Sequence, residues 1–279
     1  MFVVRMLTSW RDSLTLAVIF MSPHVVSQRS TDVWVGPGKS WIHCIMGCGA
    51  WPWQASLQVN RNHICGAVVI SNRWLLTARH CLNERCLSVL LDTLNLDNQD
   101  ALRVGVSKVI QHPGENHDND LALLELQDPL DMTSCSSRNV RPIALPLQWQ
   151  RWNYSRCYIT GWGSLHYSGP SQKSLNEGIV RIVKASECKM LGNDENESGK
   201  LCAGQPLGGV DACKGDSGGP LVCEEREDHW VLIGLTSYGR GCGGSFHGVY
   251  TRVMAYLKWI RVQVQEDVSC DKRQLSTVS

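Results

Sequence analysis

The run Gly215-Asp216-Ser217-Gly218-Gly219-Pro220 crowds glycines around one serine, so backbone amides and a reactive hydroxyl converge on one small volume. A serine hydroxyl is nearly inert at neutral pH; as a nucleophile it needs a base within hydrogen-bond reach and a third group to orient that base. Both types stand upstream. His80 lies in Leu75-Leu76-Thr77-Ala78-Arg79-His80-Cys81, after an apolar run, and Asp120 lies in Asn119-Asp120-Leu121-Ala122-Leu123-Leu124, opening another. Acyl transfer by a serine, histidine and aspartate is the chemistry that these residue types support. Their order along the chain is informative. Gly215, Ser217 and Gly219 formally satisfy a G-x-S-x-G elbow, but enzymes with that elbow place the aspartate and histidine after the serine. Gly218-Gly219-Pro220 would also break the helix that the elbow requires. The order Asp, His, Ser is excluded as well.

The elements that must position these residues read as strands. Alternating or apolar runs bounded by Gly, Pro and Asn recur at Gln54–Val59, Ile64–Ile70, Trp74–Ala78, Leu121–Leu126, Cys157–Trp162, Leu221–Cys223, Trp230–Ser237 and Gly248–Arg252, an all-β pattern. One late stretch has helical period, with Val253, Tyr256, Leu257, Ile260 and Val264 on one stripe, and predicts a C-terminal helix against the second half. The length of 279 residues suits one large or two small domains, and 43% hydrophobic content is ample for a buried core. With 27 basic against 26 acidic residues, nothing in the charge points to nucleic acid.

Taken together, these segments resemble the trypsin and chymotrypsin family of serine endopeptidases over about residues 40 to 265. The resemblance implies two six-stranded antiparallel barrels with a C-terminal helix, His80 and Asp120 coming from the first and Ser217 from the second. His80 would be the general base, Asp120 its orienting partner, and the amides of Gly215 and Ser217 the oxyanion hole. Ser237 matches the serine behind the aspartate that also forms a pocket wall. Asp211 falls at the floor of the primary specificity pocket, and Gly239 and Gly248 match the glycines that keep its walls open. Cleavage of protein or peptide substrates after Arg or Lys follows, with protein inhibitors as further partners and no cofactor. Ala212 lacks a hydroxyl that some relatives use beside lysine, which favours arginine. The resemblance also implies the disulfides Cys65–Cys81, Cys157–Cys223, Cys188–Cys202 and Cys213–Cys242.

Residues 1–27 read as a secretory signal peptide, with Arg5 and Arg11 before a short apolar core at 14–21. That core is shorter than the roughly 20 apolar residues needed to span a bilayer, so no stable membrane anchor is expected; the alternative is an anchor retained at the N-terminus. Residues 28–39 then form a propeptide, 40–265 the peptidase domain and 266–279 a polar tail. Thirteen cysteines in a secreted chain argue for an oxidising compartment, and Cys44, Cys48, Cys86, Cys135 and Cys270 fall outside the implied pairs. Asn153-Tyr154-Ser155 and Asn196-Glu197-Ser198 are acceptor triplets for N-glycans. His112, His117 and Asp118 lack the spacing of a metal site. Gly38-Lys39-Ser40 matches the end of a phosphate loop, but Val33 stands where its first glycine belongs.

Three positions depart from the family pattern. Relatives are cut after a basic residue, and the new Ile-Val terminus inserts beside the aspartate preceding the nucleophile, here Asp216. In this chain the cut after Lys39 would expose Ser40-Trp41. A second register, starting at Ile45, follows Cys44 and leaves the arm to Trp51 too short. Arg79 replaces a small alanine beside the histidine; turned inward it would lower the pKa of His80, turned outward it would not. His247 replaces the proline or tyrosine usual before Gly248. These departures keep a second reading open, a catalytically impaired or inactive homologue acting as an extracellular binding protein.

Overall fold

Short apolar stretches separated by turns fold into twelve strands among the described residues, which in this computed structural model are 50–83, 86–114, 119–132, 139–147, 156–188, 199–205, 208–226, 229–239, 241–243 and 247–274. All of them lie within one unit of the chain, Trp34–Ser279. The first half contains β1 (Gln54–Val59), β2 (Asn62–Val69), β3 (Trp74–Thr77), β4 (Leu87–Leu91), β5 (Leu102–Gln111) and β6 (Ala122–Leu126). The second contains β7 (Arg156–Gly161), β8 (Asn176–Val183), β9 (Lys200–Gly204), β10 (Pro220–Arg226), β11 (His229–Tyr238) and β12 (Gly248–Arg252), followed by α1 (Val253–Gln274).

Each half closes on itself as an antiparallel barrel, ordered β1-β2-β3-β6-β5-β4 and β7-β8-β9-β12-β11-β10. The two therefore share one connectivity, although no repeat is visible in the sequence. Closure comes from β1 pairing with β4 and β7 pairing with β10, which leaves neither sheet with an open edge. Leu57, Val68, Leu75, Val89 and Leu123 fill the first barrel, and Leu201, Leu221, Ile233 and Tyr250 the second. Each such side chain contributes about 1.5–3 kcal/mol on burial.

The barrels meet backbone to backbone. A Cβ on Gly66 of β2 would lie 2.6 Å from the Cα of Gly219. Gly218 adopts φ +75°, and a Cβ there would lie 2.6 Å from the Gly66 carbonyl, so a side chain is barred by conformation and by space. Gly66 N–H donates to the Ser217 carbonyl at 2.8 Å, and Gly218 N–H to the Thr236 carbonyl of β11 at 2.8 Å. The glycine-rich run is thus a tight turn docked onto the first barrel.

Of the stripe read from the sequence, the helix buries Val253, Tyr256, Leu257 and Ile260 and half-buries Val264. Its reach is wider than that reading: besides β11 it touches the first half, where the Tyr256 hydroxyl donates to Asn119 Oδ1 at 3.0 Å and the His112 ring meets Tyr256 and Trp259 edge-on, both at 4.9 Å. Among the described residues, four disulfides join Cys65 to Cys81, Cys157 to Cys223, Cys188 to Cys202 and Cys213 to Cys242. Cys86 is free and exposed, Cys270 falls in the last turns of α1, and Cys44, Cys48 and Cys135 lie outside the described residues.

Candidate active site

β3 and Ala78 are fully enclosed, so the chain must turn as it leaves the barrel, and Arg79–Cys81 forms a single 3-10 turn there. The Cys65–Cys81 bond ties that turn back to β2. Thr77 pairs with Ala122 across β3 and β6, which sets residue 120 beside residue 80 at the same barrel end. Asp120 is 1% exposed and surrounded by donors. Its Oδ2 accepts from His80 Nδ1 at 2.8 Å and from the Ser237 hydroxyl at 2.6 Å, and its Oδ1 accepts from the His80 backbone N–H at 3.0 Å. Burial, the largest single influence, pushes its carboxyl pKa up, but the hydrogen bond and charge of His80, the Ser237 hydroxyl and the His80 amide together outweigh it and hold the pKa at about 2. Asp120 is therefore an anion whose Oδ2 holds the His80 ring proton on Nδ1, which gives Nε2 the acceptor's role.

Ser217 sits at the seam between barrels. Its carbonyl accepts from Gly66 N–H and lies 3.8 Å from Cys81 Sγ, on the residue after His80. Gly215, two residues before it, takes φ +100°, a conformation open to glycine. The Gly215 carbonyl accepts from His63 Nε2 at 2.9 Å, while His63 Nδ1 is 2.9 Å from the Ser56 hydroxyl. Since a carbonyl can only accept, His63 carries its proton on Nε2, and its Nδ1 accepts a hydrogen bond from the Ser56 hydroxyl. Burial lowers the His63 pKa, against the raising effect of the Gly215 bond, so the ring is kept neutral. Ser56 and His63 thus brace the turn from the first barrel.

Two more carboxylates lie in the second barrel. Asp211, half-buried, leaves Oδ1 with no hydrogen-bond partner among the described residues. Burial raises its pKa to about 7; the charge of Asp216 adds to this, and the amides of Ala212 and Gly243 oppose it. A Cβ on Gly248 would stand 2.5 Å from that Oδ1, whereas one on Gly239 would keep ordinary contact, 3.8 Å from Oδ2. The Cys213–Cys242 bond joins the two loops around this carboxylate. Asp216 accepts from Gly163 N–H at 2.8 Å and Cys213 N–H at 2.9 Å. Burial raises its pKa to about 6, with those amides opposing. It borders a small cavity of about 40 Å³ lined also by Ile159, Gly163, Ser164, Val210 and Thr236.

A buried carboxylate–imidazole pair, next in the chain to a cysteine whose sulfur lies 3.8 Å from the carbonyl of a serine in a glycine turn, has counterparts in known proteins. A family model described as Trypsin matches residues 48–260. The chain belongs to the trypsin family of serine proteases. Within that family it is 43% identical over 227 residues to rat transmembrane protease serine 9, covering 78% of this chain and 21% of that protein. To rat transmembrane protease serine 11G it is 37% identical over 225 residues, covering 77% of this chain and 53% of that protein. The chain therefore spans about a fifth and about half of the lengths of these two relatives. The solved structure of neuropsin, a serine protease expressed in the limbic system of mouse brain, superposes with TM-score 0.69 at 33% identity, covering 79% of this chain and 97% of that one. The two six-stranded barrels and the C-terminal helix are the trypsin-family architecture.

The departures from the trypsin-family pattern fare differently. The Arg79 guanidinium donates to the carbonyls of His112 and Gly114, which draws it onto that loop. His247 lies against Gly204, with Nδ1 buried and without a hydrogen-bond partner among the described residues. Lys39, Ser40, Asn153 and Asn196 lie outside the described residues. Cys65, His80 and Cys81 cluster as metal donors do, but the disulfide occupies both sulfurs. Three polar groups near the site carry no sequence motif: Ser56, His63 and Lys200. Only the pairing of β1 with β2, and of β9 with β12, brings them there. No helix among the described residues is long and apolar enough to cross a membrane.

Proposed function

We propose that the chain is a secreted, trypsin-like serine endopeptidase, made as a zymogen, that hydrolyses peptide bonds after Arg or Lys through an acyl-enzyme. The observation that carries this reading is the buried Asp120 anion holding His80 Nδ1 at 2.8 Å beside the turn that bears Ser217. His80 Nε2 takes the Ser217 proton as the hydroxyl attacks the carbonyl, and later gives it to the departing amine. Asp120 stabilises the imidazolium that forms in between. The amides of Gly215 and Ser217 receive the oxyanion, and each such donor is worth about 2.7–4 kcal/mol in the transition state. Asp211, unpartnered at one oxygen and flanked by Gly239 and Gly248, selects a cationic side chain, and Ser237 contributes a wall.

Activation requires a new terminus. Cleavage after Lys39 would release residues 28–39 and place the Ser40 ammonium beside Asp216, a raised carboxylate bordering a cavity. The domain then runs over 40–265. Ser40 buries less apolar surface than the isoleucine usual there, which contributes about 1.5–3 kcal/mol. Accordingly, Ser40→Ile with Trp41→Val is expected to raise kcat/KM of the cleaved chain by about 10- to 100-fold, read with a chromogenic Arg peptide; an unchanged rate would show that insertion is not limiting.

The deciding experiment cuts the secreted chain with trypsin, sequences the new terminus and applies a fluorophosphonate probe. Labelling of the form that begins at Ser40, absent in a Ser217→Ala control, is the expected result. A correctly cut chain that stays unlabelled refutes the protease reading. Ser40 favours that second reading, in which the homologue is inactive and its cleft binds extracellular partners. Export through residues 1–27 and glycans on Asn153 and Asn196 belong to the same proposal, and a retained anchor is the alternative that the two relatives named transmembrane favour.

A further inference from the structure

Two hydroxyls link Asp120 to a lysine that the mechanism above does not use. Lys200 opens β9 and is 2% exposed. Its ammonium donates to the Ser237 hydroxyl at 3.0 Å and to the Thr251 hydroxyl of β12 at 3.3 Å. Each hydroxyl in turn donates to residue 120: Ser237 to the carboxylate Oδ2 at 2.6 Å, and Thr251 to the backbone carbonyl at 2.9 Å. An ammonium has donors only, so both hydroxyls must accept from it and both protons must point toward Asp120. The two relays start on one cation and end on one residue.

We propose that Lys200 is a positioning residue for the His80–Asp120 pair: it fixes the direction of the Ser237 and Thr251 hydroxyls and lowers the pH at which His80 takes up a proton. The ammonium lies no farther from Oδ2 than two hydrogen bonds laid end to end, 3.0 Å and 2.6 Å. That is within the range of about 4–6 Å over which a charge moves a neighbour's titration. With Lys200 present, the anion is already balanced when the imidazole protonates, so the imidazolium adds an uncompensated charge to a buried site. Without Lys200, Asp120 and the imidazolium would neutralise each other. Facing the ammonium is Tyr238 of β11, whose ring centroid is 5.6 Å from Nζ, while Arg252 of β12 meets the Lys200 backbone, its Nε donating to the Lys200 carbonyl at 3.0 Å. Tyr256 of α1 packs against the preceding Gly199. On the turn of His80 itself, Arg79 is engaged by the carbonyls of His112 and Gly114.

This inference rests on the protease reading for its purpose but not for its test. The imidazole resonances of His80 are titrated by NMR in the full chain, in Lys200→Met and in Lys200→Gln, the latter keeping a donor for the hydroxyls while removing the charge. In both variants the His80 midpoint is expected to rise by about one pH unit. The acid limb of kcat/KM should move up with it; a merely structural role would lower kcat and leave that limb in place. An unmoved His80 midpoint in whichever variant folds overturns the proposal. The NMR midpoint needs no turnover, so a chain that takes no fluorophosphonate sinks the protease reading alone and leaves the role of Lys200 to be decided by titration.

Discussion

Asp120→Asn is expected to lower kcat by about 10⁴ while the chain stays folded, the size known for this change within the family. The reason lies in which oxygen can be replaced. Oδ1 accepts from the His80 backbone N–H, so in asparagine the remaining carbonyl must stay on that side. The amide nitrogen then takes the place of Oδ2 and donates to His80 Nδ1. That forces the imidazole proton onto Nε2, where it faces the serine and cannot accept from it. Steady-state kinetics against wild type decide the matter; a loss below tenfold would show that Asp120 does not set the tautomer. Stability follows a separate course. The folded pKa of about 2 lies below the ordinary 3.8, so the carboxylate's contribution, about 2 kcal/mol, is fully present above pH 3.8 and is lost as pH falls through 2.

Asp211→Ser is expected to cost about 10²- to 10⁴-fold in kcat/KM on Arg and Lys peptides, from the 3–5 kcal/mol lost when one partner of a buried ion pair is removed. Cleavage sites that stay the same in the variant would refute the pocket assignment. The wild-type pocket should also show a proton-linked affinity. Because the Asp211 pKa is raised to about 7, an amidine such as benzamidine must expel a proton to bind at lower pH. Its affinity, by calorimetry, should therefore fall about tenfold per pH unit below 7 and level off above. The sign for stability is the reverse of that for Asp120. Between pH 3.8 and about 7 the unfolded chain has released this proton and the folded chain has kept it, so the ligand-free protein loses stability as pH rises through that window.

Much of this site was legible because its chemistry sits in short motifs. The turns carrying His80, Asp120 and Ser217 each follow or precede an apolar run, and the eight runs read as strands all fall on strands of the two barrels. What escaped were β4, β5, β8 and β9. β5 is long but largely exposed, and β8 alternates across a half-buried face, so neither shows a sustained apolar run. β9 begins with a lysine, a residue almost never fully buried without partners, and its burial depends on hydroxyls from strands far away in sequence. The same holds for His63, whose role as a brace comes from a glycine carbonyl 152 residues later. Nonlocal hydrogen bonds of this kind leave no local pattern. The wider docking of α1 escaped for a related reason: a helical stripe tells which face is apolar but not how many neighbours share it.

Each of the four disulfides among the described residues stays within one half of the chain: Cys65–Cys81 inside the first, the other three inside the second. His80 and Asp120 travel with one half and Ser217 with the other. Among the described residues, a nick in the connecting stretch between Leu126 and Arg156 would therefore leave two pieces held by the glycine contacts, by hydrogen bonds such as Ser237 and Thr251 to Asp120 and His63 to Gly215, and by the C-terminal helix. Catalytic competence would then become a matter of mass action, growing with the concentration of the fragments as they reassociate.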